Sequence, residues 1–241
     1  MKQHEEVIEI MEKNGGFATL AFLYQSVNVE GWKTKTPFAS IRRIVQEERF
    51  FFRIKPGLWA LNSRRNDVLK MFNIERLDNP KLVEEFNHTY YQGLLVELGN
   101  IEGYETFVPN QDKNRKYLTK PLKDFISLSE FYPFTYDHVI KRAKTIDVSW
   151  FNDRKYPSSF FEVEHSTDIH NSLLKFLELQ DFHTKFNIVA DKAREREFME
   201  KINSTAYKPI KEKVNFLDYD KLSAYHSKAF ELENIKKVVK L

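Results

Sequence analysis

The sequence predicts an α/β (α+β) chain of two domains, the second built on a mixed central sheet. Three observations predict it. Residues 1–62 read as three short helices and a β-hairpin. Residues 145–190 read as two strands, a helix and a third, apolar strand, which is a β–α–β signal. The polar run Asn62-Ser63-Arg64-Arg65-Asn66-Asp67 lies between them, with Val68–Leu77 as a linker or short helix. The division therefore falls at 1–77 and 78–241.

The first helix, Glu5–Lys13, carries Val7, Ile8, Ile10 and Met11 and stops at Asn14-Gly15-Gly16. Phe17–Val27 reads as a second helix. Thr36 at the N-cap and Pro37 at the first position open a third. Its core face is Phe38, Ile41, Ile44 and Val45, and Ser40, Arg42, Arg43 and Gln46 lie off that face. Phe50–Ile54 and Leu58–Leu61 then flank Lys55-Pro56-Gly57 as a hairpin.

Three helices and a hairpin outline a winged helix-turn-helix. The Gly-Gly stop and the Pro-Gly-Leu-Trp-Ala-Leu hairpin resemble the HARE-type winged helix over about residues 1–62. That resemblance implies a DNA-binding module. Lys35, Ser40, Arg42, Arg43, Arg53 and Lys55 are its candidate DNA contacts, because cations hold phosphates and arginine is the commonest reader of guanine. A merely solvated basic face, or a protein-binding winged helix, stays open.

In the second domain Asn79 caps a helix that Pro80 begins. Its apolar positions are Leu82, Val83, Phe86, Tyr90, Leu94, Leu95 and Leu98, and Gly99–Gly103 ends it. Tyr104–Pro109 reads as a strand. Residues 110–145 form a long insertion with basic Lys113, Arg115, Lys116, Lys141, Arg142 and Lys144.

The segment from Thr145 to Leu179 is the most informative. Asp147, Glu162 and Glu164 sit inside stretches that otherwise look like buried strands. Ionised carboxylates are costly to bury without partners, so the pattern points to a cation, and to a hard one such as Mg²⁺. Strand alternation puts Asp147 with Ser149 on one face, and Glu162 with Glu164 on one face. If the strands are neighbours the acids converge. The alternative is a wet face of an antiparallel sheet. A helix with Ile169, Leu173, Phe176 and Leu177 follows, then the apolar run Phe186–Ala190.

An Asp in one strand, a short connection, and Glu-Val-Glu in the next strand before a helix resemble the PD-(D/E)XK nuclease superfamily, in its bacterial restriction-endonuclease-like group, over about residues 80–200. The resemblance implies an αβββαβ core, a Mg²⁺ or Mn²⁺ cofactor and a double-stranded DNA substrate. By position Asp147 is the motif aspartate, Glu162 the second acid, and the Val163 carbonyl a third metal ligand. Glu164 stands where most members have lysine, so it would act catalytically through metal or water. Lys175 could supply a displaced ammonium, although a solvated helix lysine is the commoner role. Such cores often place an acid or Gln from their first helix near the metal, and Gln92 and Glu97 both qualify. His165 and His170 read as structural, and Ser166 and Thr167 as helix-capping residues.

The composition bounds the rest. The 241 residues carry a net charge of +3, so nucleic-acid affinity must be local. With 21 Phe and 11 Tyr a substantial core forms readily; without Cys there are no disulfides or thiolate metal sites, which suits the cytoplasm. The first residues are too charged for a secretory signal, and no apolar run approaches membrane-spanning length. The Lys-rich helical tail covers the sheet or forms a homodimer. The function expected is a Mg²⁺-dependent endonuclease of the type II restriction kind. A nuclease fold without activity that regulates through DNA binding, and a partner-binding winged helix, are the alternatives.

Overall fold

The computed structural model describes residues 2–74 and 80–239. The chain begins α1 (Gln3–Lys13), β1 (Phe17–Thr19), α2 (Leu20–Ser26), α3 (Pro37–Ile44), β2 (Phe51–Lys55), β3 (Leu58–Leu61) and α4 (Arg65–Met71). There follow α5 (Pro80–Ile101), β4 (Glu105–Phe107), β5 (Lys116–Tyr117), β6 (Lys120–Pro121), α6 (Asp137–Ala143), β7 (Val148–Phe151) and β8 (Pro157–Glu164). The last elements are α7 (Ile169–Leu177), β9 (Lys185–Ala190), α8 (Glu195–Ile202), β10 (Val214–Asp218) and α9 (Tyr219–Val239). Contacts divide the chain into two units, residues 1–79 with 223–241, and residues 80–222. The expected boundary at 77/78 and the expected cap Asn79 lie outside the described residues.

The first unit packs α1, α2 and α3 through Val7, Met11, Leu23, Tyr24, Ile41 and Ile44, all buried. Its sheet has the order β1-β3-β2, antiparallel throughout. Phe17–Val27 is not one helix. Phe17, Ala18 and Thr19 pair with Ala60, Trp59 and Leu58, and Thr19 then caps α2 by accepting from the Phe22 N–H at 3.1 Å. A partner distant in sequence decides those three residues against their local helix pattern. Gly16 makes the sharp exit from α1. Its φ is +89°, and a Cβ there would stand 2.7 Å from the Cβ of Arg64.

The second unit is a mixed five-stranded sheet, order β10-β9-β8-β7-β4. β4–β7 and β7–β8 are antiparallel, whereas β8–β9 and β9–β10 are parallel. The expected α/β class with a mixed sheet is therefore borne out. Pairing of Val148 with Phe161 and Ser149 with Phe160 fixes the faces. Val148, Trp150, Phe161 and Val163 share one face, where the Trp150 indole N–H donates to the Leu95 carbonyl of α5 at 3.1 Å. Phe151 and Phe160 lie on the other face and join the core of Leu173, Phe176, Phe186 and Ile188. Further along β8 that same face carries Glu162 and Glu164. One strand face thus runs from apolar core to buried acid.

α5 stops at Ile101, inside the expected Gly99–Gly103 stretch. A Cβ at Gly99 would meet Trp150 Nε1 and Thr106 Cγ2 at 2.6 Å, so the glycine makes room for the sheet. Among the described residues no helix is long and apolar enough to cross a membrane.

Candidate active site

The acids sit where β7 begins and β8 ends. Continuing the β7–β8 register by one residue sets Asp147 opposite Glu162. Asp147 Oδ2 accepts from the Val163 N–H at 2.7 Å, which ties the carboxylate to the neighbouring strand. Glu162 and Glu164 are buried, at 3% and 4% exposure, and Asp147 is half-buried. They line a cleft of about 430 Å³ together with His88, Arg115, Ser172 and Lys175. The expected convergence of the three acids on one cleft is what the strand pairing produces.

Lys175 is not a solvated helix lysine. Its Nζ donates to both Glu162 oxygens, at 2.8 and 2.9 Å, and to the Thr145 carbonyl at 3.1 Å. From its place in α7 the long stem reaches back over the end of β8. Ser172, one helical step earlier on the same face, donates to Glu162 Oε2 at 3.0 Å and also contacts Glu164. The Thr167 hydroxyl also donates to the Glu164 carboxylate. The residue that caps α7 is Asp168, which accepts from the His170 N–H at 2.9 Å. Ser166 and Thr167, expected as caps, spend their hydroxyls on Glu84 and Glu164 instead.

The electrostatics follow from this crowding. Burial holds the Glu162 carboxyl above the ordinary carboxylate range; the Asp147 charge adds to that, and Lys175 opposes it. Burial also raises Asp147, against the Val163 N–H that favours its charged form. Three carboxylates share one ammonium, and that imbalance is what a cation would relieve.

Residues from α5 and from the insertion complete the cleft. His88 places Nδ1 3.2 Å from the Val163 carbonyl and Nε2 3.5 Å from Asp147 Oδ1. Burial lowers its pKa, while the Asp112 charge pulls the other way. Asp112, 2% exposed, accepts from Gln92 Nε2 at 3.0 Å and pairs with Arg115 at 3.2 Å. Gln92 also donates to the Asp147 carbonyl at 3.1 Å. Glu97 is engaged elsewhere, accepting from Tyr117 at 2.8 Å. His165 meets Asn87 at 3.2 Å, and His170 meets Tyr207 at 2.5 Å. His88 and Asp112 had gone unremarked in the sequence. For His88 a signal existed, since it lies one helical turn before Gln92 on the same face. For Asp112, in an irregular stretch, none did.

The basic residues of the first unit divide. Lys35, Arg43 and Arg53 are exposed and Lys55 is half-buried. Arg42 turns away from Arg43 and donates to the Tyr24 hydroxyl at 2.9 Å and to Glu231 at 2.8 Å. The Ser40 hydroxyl donates to the Thr36 carbonyl at 3.3 Å. Arg42 and Ser40, both expected on DNA, thus hold their own fold.

Comparison with known proteins adds lineage to this geometry. No solved structure matches the chain. The type II restriction enzyme NmeDI of Neisseria meningitidis serogroup C is 29% identical over 124 residues, which is 47% of this chain and 35% of that enzyme. The chain thus spans about a third of the length of the curated relative it matches. Residues 71–240 match the family described as the type II restriction enzyme NmeDI C-terminal domain, a span that takes in the whole acidic cleft. With that much of its length matched, the chain belongs to the NmeDI C-terminal domain family of type II restriction enzymes.

Proposed function

We propose that this chain is a type II restriction endonuclease, hydrolysing phosphodiester bonds of double-stranded DNA in the cytoplasm with Mg²⁺ or Mn²⁺. The observation that carries the reading is one cleft holding Asp147, Glu162, Glu164 and Lys175. The order α5, β4, β7, β8, α7, β9 supports a restriction-endonuclease-like αβββαβ core of PD-(D/E)XK type. Family membership supports the same activity.

The donor set fits a hard divalent cation, because buried carboxylate charge exceeds the one ammonium beside it. Asp147 and Glu162 would hold the cation, with the Val163 carbonyl beside them. Bound, it would polarise the scissile phosphate and lower the pKa of a water. Lys175 presents its ammonium at the acids, where it can stabilise charge that develops on the phosphate. That is the task a lysine at the Glu164 position has in most of the superfamily. Glu164, oriented by Thr167 and Ser172, is the acceptor for a water proton.

For residues 2–61 the reading is a HARE-type winged helix that grips duplex DNA through Lys35, Arg43 and Arg53. The β1-β3-β2 sheet after three helices supports it. One cleft cuts one strand at a time, so a homodimer would let both strands of a site be cut in one binding event.

The test is digestion of plasmid and phage DNAs, modified and unmodified, by the purified chain with Mg²⁺, Mn²⁺ or EDTA. Metal-dependent cutting that Glu162→Ala abolishes is the expected result. DNA binding without cutting under every metal would move the assignment to a regulator on a nuclease fold.

A further inference from the structure

We propose that His88 and Asp112 join Asp147 in ligating a divalent transition-metal cation, so that the cleft selects Mn²⁺-like ions over Mg²⁺. The inference rests on the cation-dependent reading above and adds two ligands and a metal class to it.

The argument begins with donors and acceptors. The Val163 carbonyl can only accept, so His88 Nδ1, 3.2 Å away, carries a proton. In the neutral ring Nε2 is then a lone pair. It faces Asp147 Oδ1 at 3.5 Å, which is a second acceptor. As a neutral ring His88 presents Nε2 beside Asp147 Oδ1, and one cation can take both atoms as ligands. An imidazole whose other N–H is fixed by a backbone carbonyl is the arrangement that metal-ligating histidines usually show.

The surroundings fit the same reading. One atom each from His88, Asp112 and Asp147 lie within 4.8 Å of one another. Six-coordinate ligands at about 2.1 Å stand about 3 Å apart in cis and about 4.2 Å apart in trans, so small movements bring these three atoms onto one ion. Gln92 braces two of the residues at once, donating to Asp112 Oδ2 and to the Asp147 carbonyl. Its own Oε1 is buried and makes no hydrogen bond among the described residues. Arg115, 37% exposed on its side chain, is the partner of Asp112 that can yield to a cation. A ring nitrogen among the ligands favours divalent transition metals, Co²⁺ and Zn²⁺ above Mn²⁺, whereas an all-oxygen set suits Mg²⁺.

The experiment is titration of the full chain with Mn²⁺, Co²⁺ and Mg²⁺ by calorimetry, with the Co²⁺ absorption spectrum as an independent readout. Wild type should bind Mn²⁺ and Co²⁺ at least about 10-fold tighter than Mg²⁺. His88→Gln should lose roughly 10–100-fold in Mn²⁺ and Co²⁺ affinity and change the Co²⁺ spectrum, with Mg²⁺ affinity altered far less. Asp112→Asn is the second variant, should His88→Gln not fold, and is expected to weaken Co²⁺ binding likewise. Unchanged Mn²⁺ and Co²⁺ affinity in both variants overturns the site, whether or not DNA is cut. A wild type that cuts no DNA but shows His88-dependent Co²⁺ binding upholds the metal site and overturns only the nuclease activity.

Discussion

The two units handle charge in opposite ways. In the first, Lys35 and Arg43 are exposed, where water already solvates them and salt screens them. In the second, Glu162 and Glu164 are buried within one strand, Asp147 faces them, and one lysine answers them. Exposed cations cost the fold almost nothing and give graded, additive attraction to a polyanion. Buried acids are costly, so they persist only where a cation or a reaction repays the cost. Binding should therefore be divisible, residue by residue, in the first unit, and chemistry should be all-or-none in the second.

The sharpest break of that contrast is at the acids. Asp147→Ala or Glu162→Ala should lower cleavage by about 10³-fold or more, with DNA binding nearly unchanged. Calorimetry should show Mn²⁺ affinity down by at least about 10-fold in either variant. Equal Mn²⁺ affinity in Asp147→Ala and wild type would remove the site assignment. Glu164→Gln comes next, with cleavage expected to fall by about 10²–10³-fold, because the amide keeps the shape but accepts a proton poorly. Full activity there would make Glu164 a bystander and leave Lys175 or a water network to do its work.

Lys175 sharpens the contrast from the cation side. Its ammonium occupies both Glu162 oxygens, the atoms that a metal would use. Lys175→Met should therefore cut slowly, by about 10²-fold, yet bind Mn²⁺ at least as tightly as wild type. Without metal the variant should melt at lower temperature, because a buried acid has lost its partner. Added Mn²⁺ should restore the melting temperature, since a ligand that binds only the folded state stabilises it. A variant with weakened Mn²⁺ binding would mean that the lysine holds the acids in place for the metal.

What was legible in the sequence follows the reach of each signal. Asp147, Glu162 and Glu164 could be found because strand alternation is a local rule and β7 and β8 are neighbours in the chain. The helix after them was equally readable, but not the direction of Lys175, because a long stem can face water or fold back. His88 had a signal, one helical turn before Gln92 on the same face, whereas Asp112 was hidden by the irregular stretch that holds it. β1 was missed for a related reason, since three residues form a strand only because β3 lies beside them. In the third helix, apolar spacing separated the core face from the polar one. It could not tell which arginine has a carboxylate waiting in the C-terminal helix.

That pair of arginines gives the finest test of the first unit. Arg43 and Arg42 are adjacent in α3, carry the same charge and were expected to do the same work. Arg43 is exposed, whereas Arg42 is held between the Tyr24 hydroxyl and Glu231. Arg43→Ala should weaken duplex binding by about 3- to 10-fold and reduce the slope of log affinity against log salt by about one, as loss of one phosphate contact does. Arg42→Ala should leave that slope within error and lower stability by about 1 kcal/mol, because two hydrogen bonds to a partly exposed guanidinium are lost. Electrophoretic shifts across a salt series, paired with thermal melts, read both quantities. If Arg42→Ala flattens the salt slope as much as Arg43→Ala does, then Arg42 leaves Glu231 for the phosphates when DNA arrives. A slope unmoved by either variant would take α3 off the DNA and leave the first unit to a protein partner.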